Sequence, residues 1–288
     1  MVKRPDGKTI AVLAALLFFA VSAAVSMGVV FHGILILNGE EARPKPTTTT
    51  VRTTTAGAKK TTGAKKPAAA GEKTTVKVDG SHVIYLTFDD GPGPYTEKLL
   101  GILDQYDVKA TFFVTNVRRP KYQTCIAKEV RAGHAVGVHS FSHEYRKIYR
   151  SEAAYWSDFN RMNDIIKKQT GKPVTLLRFP GGSSNTVSRN YKEGIMKRLA
   201  KQADAKGLTY VDWNVYDGDA GETTSPHQVY KNIIRGVKGR KKSIVLCHDV
   251  KSYTVNAMDR TIRWCLAHGY TFKVLEPGGF TVHHGVNN

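Results

Sequence analysis

The chain has 288 residues, with 43 Lys and Arg against 24 Asp and Glu, which gives a formal net charge of +19. A chain of this length can bury a full hydrophobic core, so folding requires neither a disulfide framework nor a structural metal. The basic balance favours anionic partners without specifying a fold. Three scattered cysteines are too few for a cysteine-based zinc site, and buried thiols are expected, with a Cys125–Cys265 bridge as the alternative; the three are Cys125, Cys247 and Cys265.

Residues 1–38 are predicted to be a short cytoplasmic stub followed by a transmembrane helix. The stretch from Thr9 to Leu37 is almost wholly apolar, and it is longer than the roughly 20 residues that span a bilayer. Three basic residues precede it, so the positive-inside rule places the N-terminus in the cytoplasm and the rest of the chain outside. The alternative is a cleaved signal peptide with a small-residue site at residues 22–24, which would make the protein secreted.

Residues 39–80 are predicted to be a disordered linker. Thr, Ala, Lys and Pro dominate this stretch, which contains two near-repeats, residues 54–60 and 61–66. Such a composition supplies too little apolar surface for a core. The linker therefore separates the predicted membrane anchor from a globular domain predicted over residues 81–288.

From residue 81 onward, β-branched and aromatic runs alternate with helical patterns, which predicts seven strands and six helices. The strand predictions are Val83–Phe88, Ala110–Val114, Ala135–Val138, Thr175–Phe179, Leu208–Val215, Ser243–Cys247 and Tyr270–Leu275. The helix predictions are 95–106, 121–132, 152–170, 188–206, 226–238 and 254–268, and Ser151 and Ser225 are expected N-caps. Strands that alternate with helices indicate a parallel α/β architecture, either a barrel or a doubly wound open sheet.

Reactive side chains stand at five of the predicted strands. They are Asp89 and Asp90 after the first strand, His139 and His143 after the third, Arg178 in the fourth, Asp212 in the fifth and His248 after the sixth. Ligands bind at the carboxyl ends of the strands in both α/β architectures, so these groups predict one site.

The two histidines and the paired carboxylates suggest a metal site. His139 and His143 are spaced i and i+4, so their imidazoles can face one way. With one carboxylate they form a two-His, one-Asp set that leaves open positions on zinc or another divalent ion. The other carboxylate, of Asp89 or Asp90, can then address the bound water. The alternative is a surface histidine pair beside an ordinary polar turn.

Two further groups are interpreted as structural. The acidic segment Asp217–Gly221 lacks the twelve-residue spacing of a calcium loop, so it predicts a turn. His283 and His284, near the C-terminus, are expected to face solvent rather than to bind a ligand.

Five short motifs in this order resemble those of the polysaccharide deacetylases, carbohydrate esterase family four. They are Thr87–Pro92, His139–His143, Arg178–Gly182, Asp212-Trp213 and Leu246–His248. The resemblance implies a distorted (β/α) barrel with seven strands, in agreement with the number of strands predicted from residue 81 onward. It also implies hydrolytic removal of acetyl groups from N-acetylated sugars.

The resemblance implies a role for each matching position near the metal. Asp90, His139 and His143 would hold the ion, usually zinc, with another divalent ion such as Co²⁺ as an alternative. Asp89 would be the general base. Arg178 would pair with Asp89 and fix its charge and orientation.

The remaining matching positions would act on the leaving group and the acetyl group. His248 would be the general acid, and Asp212 would pair with it and keep it protonated. The backbone N–H of Gly181 would contribute to the oxyanion hole, and Trp213 and Leu246 would line the slot for the acetyl methyl group. Many relatives carry a bulky or aromatic residue where Gly181 stands, so the cleft wall is expected to be more open here.

Location and resemblance together predict a membrane-anchored, extracytoplasmic deacetylase that acts on N-acetylglucosamine in peptidoglycan. The same chemistry on N-acetylmuramic acid, chitin oligomers or an exopolysaccharide is the first alternative. A non-catalytic, basic envelope-binding module is the second. Nucleic acid is not an expected partner, because the basic residues match no known binding motif and export removes such partners.

Overall fold

The computed structural model describes residues 82–117 and 120–288, which form a parallel β-sheet with helices packed around it. The strands are β1 Val83–Asp89, β2 Thr111–Thr115, β3 Ala135–Ser140, β4 Leu176–Leu177, β5 Thr209–Tyr210, β6 Val215–Tyr216, β7 Lys242–His248 and β8 Thr271–Phe272. The helices are α1 Thr96–Gln105, α2 Pro120–Arg131, α3 Tyr145–Ile148, α4 Glu152–Thr170, α5 Ile195–Ala205, α6 Pro226–Val237 and α7 Ser252–Ala267, with a 3₁₀ turn at Val187–Asn190.

The predicted anchor, 1–38, and the predicted linker, 39–80, lie outside the described residues. Among the residues that the structure describes, no helix is both long enough and apolar enough to cross a membrane.

Seven of the strands follow one another across the sheet in the order β5-β4-β3-β2-β1-β7-β6, and every pairing is parallel. The eighth, β8, pairs with the first two residues of β1, while β2 pairs with its last three. The order begins at β5 and ends at β6, which are consecutive in the chain. The seven-stranded order with its surrounding helices matches the distorted barrel that was predicted.

The central strand β1 is buried along its whole length, from Val83 to Asp89. A strand covered on both faces is typical of a parallel sheet flanked by helices. Three buried thiols were expected, and Cys125, Cys247 and Cys265 are indeed buried and free. The alternative Cys125–Cys265 disulfide is therefore wrong.

Two predicted elements are interrupted. The predicted strand Leu208–Val215 is two short strands, because the backbone N–H of Asp212 donates to the carbonyl of Val282 (2.8 Å) and leaves the sheet ladder there. The predicted helix 188–206 is a 3₁₀ turn followed by α5, separated by Gly194 with a left-handed φ of 69°. The short helix α3 was not predicted.

Helix α4 begins and ends at the residues that its capping residues in the sequence predict. The Ser151 hydroxyl accepts a hydrogen bond from the backbone N–H of Ala154 (3.1 Å), and Gly171 closes the helix in the left-handed conformation. The same capping serves α6, where Ser225 accepts from Gln228 and Pro226 occupies the first helical turn.

We expect Ser151→Ala to lower the free energy of unfolding by about 1 kcal/mol, because one backbone N–H loses its cap. The measurement is a urea titration of the full-length chain followed by tryptophan fluorescence. Ser157→Ala, at an exposed position within the same helix, is the control and should change the value by less than about 0.5 kcal/mol. Equal effects of the two substitutions would contradict the capping role.

Candidate active site

Three side chains at the ends of β1 and β3, which flank β2 in the sheet, converge on one point. Asp90 follows β1, while His139 lies in β3 and His143 just beyond it. One ligand atom from each lies within 4.8 Å of the others. The Asp90 Oδ1 atom is 3.7 Å from Nε2 of His139 and 3.4 Å from Nε2 of His143. Two imidazole nitrogens and one carboxylate oxygen that face a common point fit a divalent cation with open coordination positions.

The backbone at two of these positions is unusual. Asp90 has a φ of 70° and His143 a φ of 52°, in the left-handed region that residues with a Cβ seldom adopt. The loop that carries His143 is held by Asp158, whose carboxylate accepts from the backbone N–H groups of Phe141 and Ser142 and from the hydroxyls of Ser140 and Ser142. Strain that such contacts maintain is typical of functional sites.

His139 is prepared to act as a neutral ligand. Its Nδ1 atom lies 2.8 Å from the carbonyl oxygen of Arg178, which can only accept a hydrogen bond, so Nδ1 carries the proton and Nε2 is left with its lone pair. The side chain is buried, and this burial lowers the pKa of His139 from its ordinary value despite the neighbouring carboxylates. The imidazole is therefore neutral near pH 7, as metal ligation requires.

Asp89 forms the ion pair with Arg178 that was predicted. One Nη1–H of the guanidinium donates to Asp89 Oδ1 at 2.9 Å, while the second carboxylate oxygen lies 3.9 Å from Nε2 of His139. Arg178 is fully buried, and its other donors engage Thr87 Oγ1 and the carbonyl oxygens of Val211 and Asp212. The arginine therefore holds one oxygen of Asp89 and leaves the other beside the three metal-ligand candidates.

The predicted pairing of His248 with Asp212 is wrong, because the partner of His248 is Asp219. The Nδ1 atom of His248 lies 2.6 Å from Asp219 Oδ1, and its backbone N–H donates to Asp219 Oδ2 at 2.8 Å. The hydroxyl of Thr254 donates to the same Oδ2, and that of Tyr253 to the Asp219 carbonyl. The segment interpreted as a plain turn therefore supplies a buried carboxylate to the site.

The environment of His248 favours its protonated form. Burial alone would lower its pKa, but the hydrogen bond and charge of Asp219, with smaller contributions from Asp89 and Asp90, raise the pKa of His248 to about 9. Beside it, burial and the charge of Asp219 raise the pKa of Asp217 above its ordinary range. Below about pH 9 the site therefore contains an imidazolium that can donate a proton.

Asp212 has a structural role instead. Its carboxylate accepts from the backbone N–H and hydroxyl of Ser183 (2.8 and 2.5 Å) and from the backbone N–H of His284 (2.8 Å). His284 also contacts the Trp213 carbonyl at 2.6 Å, and His283 stacks on Tyr210. His283 is exposed, as expected, although its ring stacks on Tyr210, whereas His284 is half-buried, so the expectation that both face solvent is wrong for His284.

The site residues line one cavity of about 390 Å³. Gly181, Trp213 and Leu246, which were predicted to contact substrate, are in its wall, as are Asp89, Asp90, His139, His143 and His248. Three further lining residues were not predicted: Tyr145, Tyr216 and Ala220. The wall at Gly181 is not open, since the hydroxyl of Tyr145 occupies the space beside it.

The register of the sheet explains this convergence. In the ladder between β1 and β7, Asp89 is opposite His248, so a carboxylate and an imidazole end adjacent strands at the same edge. The backbone N–H of Arg178 donates to the Val138 carbonyl at 3.0 Å, which brings it beside His139. An arrangement of this kind can deliver a base and an acid to opposite sides of one bound group.

Comparison with known proteins finds relatives from one enzyme family. The family model described as polysaccharide deacetylase matches residues 77–197. A peptidoglycan-N-acetylglucosamine deacetylase of Bacillus cereus is 30% identical over 196 residues, 66% of this chain and 68% of that protein. The peptidoglycan-N-acetylmuramic acid deacetylase PdaA of Bacillus subtilis is 30% identical over 195 residues, which cover 67% of this chain and 70% of that protein.

A solved structure is similar over most of the described region. It is the crystal structure of the catalytic domain of a peptidoglycan N-acetylglucosamine deacetylase from Eubacterium rectale, with 53% sequence identity and a TM-score of 0.70. The match covers 72% of this chain and 94% of that one.

Proposed function

This chain belongs to the polysaccharide deacetylase family and is a hydrolase of amide bonds, and we propose that it removes acetyl groups from N-acetylglucosamine in peptidoglycan. The proposal includes a location: the apolar segment Thr9–Leu37 anchors the chain in the cell membrane, with residues 81–288 outside the cytoplasm. Export would bring the site to the glycan strands of the cell wall.

A single observation supports the chemistry. Asp89 and His248 end adjacent strands of the sheet and line the same cavity as the Asp90, His139 and His143 cluster. Amide hydrolysis requires a base that activates water and an acid that protonates the leaving amine, on either side of a polarised carbonyl. The cavity contains a candidate base, a candidate acid and the candidate ligands of a metal that would polarise the carbonyl.

Asp90, His139 and His143 would hold the divalent cation, for which zinc is the proposed identity because nitrogen ligands and an incomplete shell suit it. When bound, such an ion polarises a carbonyl oxygen and lowers the pKa of water. The protein contributes the orientation of the ligands, through the hydrogen bond from His139 Nδ1 to the Arg178 carbonyl.

Asp89 would act as the general base. Its Oδ1 atom is occupied by Arg178, so Oδ2 is the oxygen available to take a proton from the attacking water. The buried guanidinium of Arg178, 2.9 Å away, is the counter-ion of the Asp89 carboxylate. Arg178 also restricts the rotation of Asp89, since it is itself held by three further acceptors.

His248 would act as the general acid. An amine is a poor leaving group until it is protonated, and an imidazolium whose pKa is raised to about 9 is charged at neutral pH. Because Nδ1 donates to Asp219, Nε2–H is the group available to the leaving nitrogen. The backbone N–H of Gly181 would stabilise the developing oxyanion, and Trp213 and Leu246 would enclose the acetyl methyl group.

N-acetylmuramic acid is a second candidate substrate, because a relative of 30% identity is named for that activity. N-acetylglucosamine is preferred because the solved structure with 53% identity is named for it. The two sugars differ at O3, where N-acetylmuramic acid carries a lactyl ether, so the discrimination is a matter of space beside the acetamido group.

The test uses the full-length chain in detergent with isolated peptidoglycan and with N-acetylglucosamine oligomers. We expect acetate release from both, loss of release with a chelator and recovery on addition of zinc. Mass spectrometry of the muropeptides should locate the free amine on glucosamine. A free amine on muramic acid would establish the second candidate. Absence of release from folded, zinc-loaded protein would contradict the proposed substrate class.

A further inference from the structure

Tyr145 fills space in the cavity wall that a side chain at position 181 would otherwise occupy. A Cβ built on Gly181 would lie 2.5 Å from the Tyr145 hydroxyl oxygen and 3.4 Å from Cζ of the same ring. Such a contact is too short, and Gly181 also has a φ of 78°, which disfavours a side chain. The observed position of the Tyr145 ring therefore requires glycine at 181.

The ring of Tyr145 is held in place from two sides. It packs edge to face against His143 (centroids 5.8 Å apart) and against Tyr149 (5.4 Å apart). The Tyr149 hydroxyl is buried and donates to the carbonyl of Pro180 at 2.7 Å, immediately before Gly181. The stack therefore connects the loop of the metal-ligand candidates to the turn that presents the Gly181 N–H.

The position of the Tyr145 hydroxyl suits a hydrogen-bond donor. It stands next to Gly181, in a cavity shared with Asp89, Asp90 and His248. A phenol is neutral at pH 7, so it can donate to a developing negative charge, unlike the carboxylates around it. A donor held in advance at such a point stabilises charge without reorganisation, which is the basis of oxyanion stabilisation.

We infer that Tyr145 is a catalytic residue whose hydroxyl donates a hydrogen bond to the acetyl oxygen of the substrate as negative charge develops there, beside the N–H of Gly181. The inference rests on the proposed function, since the acceptor is the oxygen of an acetamido group. It assigns to this chain an oxyanion site of two donors, the backbone N–H of Gly181 after β4 and the side chain of Tyr145 at the start of α3.

Tyr145→Phe removes the hydroxyl and keeps the ring against His143 and Tyr149. We expect kcat on N-acetylglucosamine oligomers to fall about 100-fold with little change in KM, as for loss of one oxyanion donor. Tyr230→Phe, whose ring lies against Arg260 outside this cavity, is the matched control and should leave both constants unchanged.

A second readout does not depend on turnover. Acetohydroxamate carries a carbonyl oxygen that stands in for the acetyl oxygen, and its affinity for the full-length, zinc-loaded protein can be measured by calorimetry. We expect Tyr145→Phe to weaken its binding several-fold, with zinc affinity and melting temperature unchanged. Tyr230→Phe should bind it as the unsubstituted protein does.

Two outcomes would overturn the inference. If Tyr145→Phe kept the kcat and the acetohydroxamate affinity of the unsubstituted protein, the Tyr145 hydroxyl would only fill space. If Tyr145→Phe raised KM at constant kcat, the hydroxyl would contact the sugar instead of the acetyl oxygen. If the unsubstituted chain released no acetate from any N-acetylated sugar, the proposed function would fail. The binding measurement would still decide whether Tyr145 contacts a carbonyl oxygen, so the two failures are distinguishable.

Discussion

Asp219→Asn is expected to lower kcat about 100-fold or more at pH 8, because it removes the charge that keeps His248, the proposed general acid, protonated. In the unsubstituted protein the pKa of His248 is raised to about 9, with Asp219 the largest favourable contributor. Without the Asp219 carboxylate, the effect of burial on His248 is opposed only by the smaller contributions of Asp89 and Asp90, so the pKa of His248 falls. In the proposed mechanism protonated His248 is the active form, so activity is expected to be lost as the pH rises through the pKa of His248.

The measurement is the pH dependence of kcat from pH 6 to 10. The alkaline limb should lie near pH 9 in the unsubstituted protein and at lower pH in Asp219→Asn. Asp212→Asn is the informative comparison, since its carboxylate accepts from Ser183 and His284 rather than from His248. It should lower the melting temperature and leave the alkaline limb in place. An unshifted limb in Asp219→Asn would contradict the assignment.

The metal-ligand candidates could be predicted because their signal is local. His139 and His143 are four residues apart, and Asp90 follows a strand whose seven residues are all buried. Parallel strands bring the residues at their carboxyl ends to one edge of a sheet, whatever the conformation of the connecting loops. Hence predicting the ends of β1 and β3 was sufficient to bring these three side chains together.

Asp219 was missed because the break between β5 and β6 was not predicted. A single strand over Leu208–Val215 puts Asp212 among the strand residues and leaves Asp217–Gly221 as a connection. In the structure β6 ends at Tyr216 and lies beside β7, which ends at His248. The acidic segment therefore directly follows a strand end, next to the strand that ends at His248. The break arises from the hydrogen bond of Asp212 to Val282, 70 residues away in the chain, which periodicity cannot reveal.

Tyr145 illustrates a different limit. Its hydroxyl lies against Gly181, 36 positions later, and no local pattern relates the two. The sequence shows directly that residue 181 is a glycine, and the absence of a side chain there predicted an open wall of the substrate cleft. Whether an empty position is filled by another element is a property of packing in three dimensions.

Asp89→Asn is expected to reduce kcat by about 10²- to 10⁴-fold, the usual contribution of a general base. An amide oxygen can still accept the hydrogen bond from Arg178, but it cannot take a proton from water at neutral pH. The change is isosteric, so the cavity keeps its shape, and Asp90, His139 and His143 keep their positions. Zinc affinity, measured by competition with a chromophoric chelator, should therefore change little while turnover is lost.

Loss of turnover must be separated from loss of the fold, because Asp89 is the charged partner of a fully buried arginine. Removing one member of a buried pair destabilises the remaining charge. The melting temperature is therefore expected to fall, and kcat should be measured well below it. Asp164→Asn, an exposed change of the same type on α4, is the control for both quantities. Near-normal kcat in folded Asp89→Asn would exclude Asp89 as the base and point to a different proton acceptor in the cavity, whereas lost kcat with retained zinc would separate proton transfer from metal binding in this site.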